Sequence, residues 1–145
     1  MTHTAKMSPI SEAPILMVTM RLRMSEHDVH YGGGIVDGAR LMALFGDAAT
    51  ELCIRHDGDE GLLRAYSRVE FLRPVRAGDF LEVTAHLVGV GRSSRQMRFF
   101  IHRTIRSAYT AENPSAAEVL SEPELIAIAE GTCVVPLDKQ RRQED

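Results

Sequence analysis

Tryptophan is absent from the sequence, cysteine occurs twice, and there is no excess of positive charge. The 17 Lys and Arg residues face 20 Asp and Glu residues, which gives a formal net charge of −3 and no overall field to attract nucleic acid. The longest apolar run near the N-terminus, Ile15–Val18, is far too short for a signal segment or a membrane span. We therefore expect a cytoplasmic protein with neither nucleic acid nor a membrane as its partner.

The two cysteines, Cys53 and Cys133, each lie inside an apolar run, where a reduced thiol behaves as a small hydrophobic group. They predict buried thiols in a reducing compartment, not a disulfide framework. With 145 residues, of which 44% are hydrophobic and 26% charged, the chain has the composition of a globular domain. Its core is large enough to fold without disulfides or metal.

The chain divides into one domain with a polar tail at each end. Residues 1–13 and 138–145 lack hydrophobic periodicity, so we expect flexible tails around a single domain at 14–137. Inside the domain, an apolar stretch at 14–23 leads into the loop SEHDVHYGGG, whose three glycines exclude a helix there. Helical periodicity follows at 35–56.

Period-two alternation of apolar and polar residues predicts strands after the helix. The predicted strands cover 63–71, 81–87, 96–102 and 125–135, with a short helical piece around 116–120 before the last of them.

One helix covers only one face of a five-stranded antiparallel sheet, so the other face needs solvent or a partner. The large side chains predicted on that second face are Val88, Phe100, Ile126 and Ile128. They favour a partner, as do the unpaired edge strands. The order of elements predicts an α+β fold of the hotdog type, in which a five-stranded antiparallel sheet wraps a long central helix and two copies pair into a dimer.

Two acids, Asp47 and Glu51, border the apolar stripe of the predicted helix. Ionised carboxylates four residues apart repel by about 0.2–0.5 kcal/mol, so they gain from a nearby cation or a shared proton. Burial beside the stripe would raise the pKa of Asp47 and suit it to proton transfer near neutral pH. The alternative is a solvated face on which neighbouring arginines neutralise both acids.

The start of the helix offers a second group of candidates. Asp37 is a preferred N-cap residue, and the backbone N–H groups of Gly38 and Ala39 lack intrahelical acceptors and are able to stabilise an oxyanion. His30 in the glycine loop is a candidate for proton transfer, or an exposed side chain without a role. His27 and His30 have a metal-ligand spacing, but no third ligand accompanies them, so we expect no metal site.

The block HYGGGIVDGARLMALFGDAATEL at 30–52, followed by IRHDGDEGL at 54–62, resembles the short hotdog enzymes known as 3-aminobutyryl-CoA and β-alanyl-CoA ammonia lyases. The stretches FLRPVRAGDF at 71–80 and GTCVVP at 131–136 extend the resemblance over most of the chain. Hotdog thioesterases match only in part, because Asp37-Gly38-Ala39 stands where one large group has His-Gly-Gly, although Asp47 stands near the carboxylate that follows in that group. The Asp-x-Asn-Pro-x-His motif of hotdog enoyl-CoA hydratases is also missing.

The resemblance implies reversible elimination of ammonia from 3-aminobutyryl-CoA or β-alanyl-CoA, which gives crotonyl-CoA or acrylyl-CoA, in amino acid degradation such as lysine fermentation. In this interpretation, backbone N–H groups at the helix start polarise the thioester and Asp47 transfers the proton. Glu51, Asp37 or His30 is the second proton carrier or the ammonium binder. We expect no organic or metal cofactor, because the thioester already acidifies the α-proton. The expected assembly is a homodimer or a higher assembly of dimers.

The phosphates of coenzyme A need cations near the site. The turn at 91–95 offers two guanidinium groups and two hydroxyls from Arg92, Ser93, Ser94 and Arg95. The alternative is an ordinary solvated turn. We also expect the loop residues Tyr31, Gly33 and Gly34 to contact the CoA substrate.

Two other functions stay open. An acyl-CoA thioesterase would use Asp47 to activate water or to attack the carbonyl. A non-catalytic acyl-CoA-binding protein is the second alternative, although the sequence has no DNA-binding segment or long basic tail to transmit a signal.

Overall fold

A computed structural model describes residues 13–141 of the chain. Its strands are β1 (Leu16–Arg23), β2 (Val29–Tyr31), β3 (Ile35–Val36), β4 (Leu62–Phe71), β5 (Phe80–Val90), β6 (Ser94–Ser107) and β7 (Ala117–Val134), and its helix is α1 (Gly38–Asp57). Five strands form an antiparallel sheet in the order β1-β5-β6-β7-β4, while β2 and β3 form a small hairpin. The helix packs on one face of the sheet, as predicted. No helix among residues 13–141 is long and apolar enough to cross a membrane.

The apolar stripe of α1 packs against the sheet. Leu41, Phe45, Ala48 and Leu52, the residues expected from the helical period, are all buried. The ring of Phe45 lies 5.3 Å from that of Phe99 on β6. Cys53 and Cys133 are buried free thiols, which confirms the prediction for both.

The helix begins three residues later than predicted, at Gly38 instead of residue 35. Val36 pairs with Val29 of β2, so residues 35 and 36 belong to the hairpin. Asp37 then caps α1, because its side chain accepts a hydrogen bond from the N–H of Ala39 at 2.8 Å. At the other end, Gly58 adopts a positive φ of 75° as the C-cap.

Strand β4 departs from simple alternation. Two irregularities in its pairing with β7 change which side chains face the helix. As a result Tyr66 and Val69, three residues apart, both pack against the core, and the Tyr66 hydroxyl donates to the carbonyl of Met42 at 3.4 Å. The alternation predicted for 63–71 therefore assigns side chains to the wrong faces of β4, because each irregularity inserts an unpaired residue into the period of two.

Strand β7 is longer than predicted and replaces the expected helical piece at 116–120. Ala117 and Val119 pair with Ser107 and Ile105 at the end of β6, whose length supplies partners for this segment. The register shifts between Val119 and Glu124, where Pro123 lies, because proline fits a strand at such a bulge.

The sheet face opposite the helix carries Phe100 and Ile128, as expected, and the Phe100 ring lies 5.5 Å from that of His86. Val88 is exposed. Ile126 was assigned to this face incorrectly. It is fully buried in the core, because a register shift opposite His102 turns its side chain towards the helix.

The predicted C-terminal tail starts too early at residue 138. Gln140 donates to the carbonyls of Arg92 at 2.6 Å and Val135 at 3.0 Å, and the Arg141 N–H donates to the carbonyl of Asp57 at 2.7 Å. Residues 138–141 therefore pack on the domain. Of the tails predicted at 1–13 and 138–145, residues 1–12 and 142–145 lie outside the described residues.

A buried ion pair joins the end of α1 to the start of β6. The guanidinium of Arg95, 2% exposed, donates to both carboxylate oxygens of Asp57, 4% exposed, at 2.7 and 2.8 Å. Arg95 also donates to the carbonyls of Gly91 and Ser94, and His56 Nδ1 lies 3.0 Å from Asp57. Burial raises the pKa of Asp57, but the hydrogen bonds and charge of Arg95, together with the nearby His56 ring, outweigh it, so the pKa is lowered overall.

We predict that Arg95→Met destabilises the domain by about 3–5 kcal/mol, because it leaves the Asp57 carboxylate buried without its cation. Urea unfolding of the wild type and the variant measures this loss. The double variant Asp57→Asn, Arg95→Met should lose less than the sum of the two single variants, since no buried charge is left unpaired. Additive losses would contradict the pairing.

The same pair sets a pH dependence. A carboxyl whose pKa is lower in the folded than in the unfolded state stabilises the folded protein at pH values above its unfolded pKa of about 3.9. That contribution is lost as the pH falls through the lower, folded-state pKa. Asp57→Asn should therefore show a shallower loss of stability in acid than the wild type in the same urea series.

Candidate functional site

A cavity of about 540 Å³ lies at the N-terminal end of α1. It is formed by the end of the glycine loop, the first turns of α1 and the connection that follows β4. The lining residues are Tyr31, Val36, Asp37, Gly38, Ala39, Leu41, Met42, Phe71, Leu72, Arg73, Pro74 and Val75. An apolar chamber with a few polar groups at a helix start suits an acyl group attached to a polar carrier.

The apolar wall of the cavity depends on a close approach at Gly38. A Cβ atom on Gly38 would lie 3.2 Å from two ring atoms of Phe71. A larger residue at position 38 would push the ring of Phe71 away from the helix. The absence of a side chain thus lets the aromatic ring lie beside the first turn of α1.

The glycine loop adopts conformations that favour glycine. Gly33 and Gly34 have φ values of 80° and 76°, which other residues rarely adopt. The carbonyl of Gly34 accepts the N–H of Ala77 at 3.0 Å, and Arg40 on α1 donates to Asp28 in the loop at 2.8 Å. These contacts fasten the loop to the helix and to the cavity wall.

The carboxyl of Asp28 is committed to this structural role. Burial raises its pKa, but hydrogen bonds from Ser25 and the charge of Arg40 outweigh burial and lower it overall. Asp28 is therefore an anchor of the loop and is not among the residues that line the cavity.

Asp37 lies at the cavity with its two oxygens in different environments. Oδ1 accepts the Ala39 N–H at 2.8 Å, whereas Oδ2 lies 3.7 Å from Nδ1 of His30. The Ala39 N–H is consequently already occupied, and the predicted oxyanion pair of Gly38 and Ala39 is wrong in that half. The Gly38 N–H, at the first position of α1, has no intrahelical acceptor and is the donor that remains.

His30 lies beside the cavity, not in its lining. Its side chain is 60% exposed, and its ring meets that of Tyr31 edge-on with centroids 4.7 Å apart. Tyr31 does line the cavity, as do Asp37 and Gly38. Of the glycines expected to contact substrate, Gly33 and Gly34 lie in the adjoining loop and outside the lining.

Asp47 and Glu51 are not brought to the cavity of their own protomer. Asp47 is nine positions beyond Gly38, about 13 Å along the helix axis. Its side chain is exposed, so the burial expected from the sequence does not occur within one chain. Glu51 forms an ion pair with Arg55 at 2.7 Å, one turn further on, which matches the solvated-face alternative for this residue.

The turn at 91–95 is in the wrong place for the phosphates of a ligand in this cavity. Arg95 binds Asp57 at the last residue of α1, about 28 Å from the cavity along the helix. Its guanidinium is buried and fully paired, so the assignment of Arg95 to phosphate was wrong. Ser94 lies against Gly91 within the turn, and Arg92 and Ser93 share this distant location.

Two arginines that sequence reasoning missed lie near the cavity. Arg73 lines it and donates to the carbonyl of Leu125 at 3.0 Å, and Arg76 forms a bridge with Ile35 of the hairpin. Both belong to the segment FLRPVRAGDF, so the two cations are visible in the sequence. The sequence did not show that this segment lies beside the start of α1.

No three His, Cys, Asp or Glu side chains within residues 13–141 gather as a potential metal site. The pair His27 and His30 gains no third ligand in this part of the chain.

Residues 33–106 match the family described as the thioesterase superfamily. The chain is 54% identical over 123 residues to the 3-aminobutyryl-CoA ammonia lyase of Acetoanaerobium sticklandii, a match that covers 85% of this chain and 97% of the relative.

Solved structures show the same similarity. The β-alanyl-CoA:ammonia lyase of Clostridium propionicum superposes with a TM-score of 0.84 at 33% identity, over 90% of this chain and 92% of that one. A hexameric broad-specificity acyl-coenzyme A thioesterase superposes with a TM-score of 0.66 at 19% identity, over 83% of this chain and 81% of that one. At that identity the thioesterase shares the fold alone.

Proposed function

The chain belongs to the thioesterase superfamily and, within it, to the family of the 3-aminobutyryl-CoA ammonia lyase, and we propose that it catalyses the reversible elimination of ammonia from a 3-aminoacyl-CoA. The observation that carries this proposal is the 54% identity, which spans 97% of the relative's length. The substrate is 3-aminobutyryl-CoA or β-alanyl-CoA, and the product is crotonyl-CoA or acrylyl-CoA.

The elimination needs three things from the protein: polarisation of the thioester carbonyl, a base for the α-proton, and stabilisation of the amine in its ammonium form. When the base takes the α-proton, that C–H electron pair forms the double bond, the C–N bond breaks, and ammonia leaves with the C–N electrons. The Gly38 N–H donates to the thioester oxygen and stabilises the enolate-like charge. No organic or metal cofactor is required, because the thioester itself acidifies the α-proton.

Asp47 is the proposed base, and it acts on the cavity of the other protomer in a dimer. The separation of about 13 Å along α1 excludes contact with a substrate bound at Gly38 of the same chain. Asp47 lies on the outward face of α1 together with Ala43, one turn away, so a second copy is able to approach it. In a site shared across a two-fold axis, Asp47 of one chain reaches the Gly38 cavity of the other.

The edge strand β4 supports pairing of two copies. Leu62 is 75% exposed, and Leu63 and Phe71 also expose much of their apolar surface along this edge. An exposed apolar edge strand is a surface that soluble proteins normally cover. The hexameric thioesterase of the same fold is a domain that assembles, which supports pairing here.

Coenzyme A enters between the helix start and the connection after β4. Arg73 and Arg76 supply positive charge beside the cavity for its phosphates, whereas Arg92 and Arg95 do not. The proposed enzyme works in the reducing cytoplasm, since both cysteines are free thiols.

A thioesterase with the same fold is the competing enzyme. It would use Asp47 to activate water or to attack the carbonyl, and it would break the C–S bond instead of the C–N bond. A non-catalytic acyl-CoA-binding protein would bind the same ligands without turnover.

The wild-type protein should consume the double-bond absorbance of crotonyl-CoA or acrylyl-CoA only when ammonium is added, and without release of free thiol. A thiol reagent and the absorbance of the enoyl thioester follow both reactions in one sample. Thiol release at a rate independent of ammonium would assign the protein to the thioesterases. Binding of crotonyl-CoA with neither reaction would indicate the non-catalytic alternative.

Asp47→Asn keeps the shape of the side chain and removes its ionisable group. We expect ammonia addition to slow by about a hundred to ten thousand fold, while crotonyl-CoA binding and the unfolding temperature stay near wild type. Glu60→Gln, which neutralises an exposed acid beyond the far end of α1, serves as the matched control. Near-normal turnover of Asp47→Asn would remove Asp47 from the mechanism.

The shared site predicts complementation between inactive chains. If Asp47 of one protomer serves the Gly38 cavity of the other, a mixture of Asp47→Asn chains with Gly38→Val chains, whose added side chain obstructs the cavity at Phe71, should regain about a quarter of wild-type activity after co-refolding. Half of randomly formed dimers are mixed, and each mixed dimer contains one intact site of two. Sedimentation should give at least twice the chain mass of 16.1 kDa. A folded, active monomer, or no regain of activity, would contradict the shared site.

A further inference from the structure

We infer that Asp37 binds the ammonium group of the substrate and thereby makes the enzyme select ammonia over water as the group that is added. This inference rests on the proposed function and assigns one of its three requirements to a single carboxylate.

The charge of the cavity points to this residue. Among the described residues that line the cavity, Asp37 is the one carboxylate and Arg73 the one cation. The remaining wall is largely apolar, where an isolated ammonium group would lose its hydration without compensation. Within the lining supplied by one protomer, the carboxylate of Asp37 is therefore the group that compensates a bound ammonium.

The geometry leaves one oxygen of Asp37 for a ligand. Oδ1 is engaged by the Ala39 N–H at 2.8 Å, which fixes the orientation of the side chain. Oδ2 lies beyond hydrogen-bond distance of His30 Nδ1, at 3.7 Å, and accepts no hydrogen bond within residues 13–141. Its side chain is 32% exposed, so a small cation is able to reach it. The N-terminus of α1 favours a negative charge at this position.

The other acids of the loop and helix are not placed for this role. Asp28 binds Arg40 and Ser25, and Glu51 binds Arg55 about 20 Å along α1 from the cavity start. Asp47 reaches a cavity only from the other protomer and is assigned there to the α-proton. Asp37 is thus the acid that remains for the amine.

The positions of Asp37 and Gly38 also separate amine binding from polarisation of the thioester. Asp37 adjoins Gly38, whose N–H is assigned to the thioester oxygen, so the amine and the carbonyl of one short acyl group meet neighbouring residues of the same chain. In the addition direction, the nitrogen acquires positive charge as its bond to the β-carbon forms. A carboxylate at that place stabilises this charge by a charge-assisted hydrogen bond, which a neutral hydroxyl product does not form with the same strength.

The experiment compares Asp37→Asn and Asp37→Ser with the wild type. Both replacements are good N-cap residues, so α1 and the unfolding temperature should be preserved. We expect the KM for ammonium to rise about ten- to hundredfold, as for the loss of a hydrogen bond to a charged group, while the KM for crotonyl-CoA stays within about twofold. Turnover should recover at high ammonium concentration.

Glu60→Gln is the matched control, because it removes an exposed carboxylate remote from the cavity and should leave both constants unchanged. An unchanged KM for ammonium in the Asp37 variants would overturn the inference. So would an equal rise in both constants, or a loss of turnover that high ammonium does not restore. The proposed function fails separately, when wild-type protein itself shows no ammonium-dependent consumption of enoyl-CoA.

Discussion

The packing of one helix on one face of a five-stranded sheet is the constraint on which the other features depend. Burial of the apolar stripe of α1 fixes which side of the helix faces inward, and so leaves Ala43 and Asp47 on the outward side. It also places the first turn of α1 beside the connection after β4, where the cavity forms. Helix orientation thus decides both the position of the cavity and the need for a second copy.

Polar contacts lock the two ends of this arrangement. At the C-terminal end of α1, Asp57 and Arg95 join the helix to the β5–β6 turn. At the cavity end, Arg103 donates to the carbonyl of Pro74 and to Asp79, both at 2.9 Å, and Asp79 also accepts the N–H of Ser107 at 2.8 Å. The cavity wall is therefore tied to β6, and its apolar residues are presented to a substrate by a rigid segment. Preorganisation of this kind lowers the cost of ordering the site when substrate binds.

Side chains at the site distinguish a lyase from a thioesterase that has the same fold. The backbone donor at the start of the helix suits any reaction that develops charge on a thioester oxygen, which both enzyme classes require. In this chain the residue immediately before that donor is Asp37. On the proposed role of Asp37, its carboxylate gives the chamber a negative charge next to the acyl group and stabilises the positive charge that develops on nitrogen as neutral ammonia adds. On this proposal the fold supplies the scaffold, and the side chain at the helix cap adapts it to an amine.

Local patterns in the sequence determined the helix with its buried stripe, the alternation of β5 and β6, the buried cysteines and the cap at Asp37, because each depends on neighbours within a few residues. The chain block at 30–52 also identified the family. Only the tertiary structure decided the partner of Arg95, the face of Ile126 and the phase of β4. These depend on bulges and on residues dozens of positions away, which no local period contains. The capture of the Ala39 amide by Asp37 is a local cap between residues two apart, but only the tertiary structure placed Gly38 in the lining of a cavity.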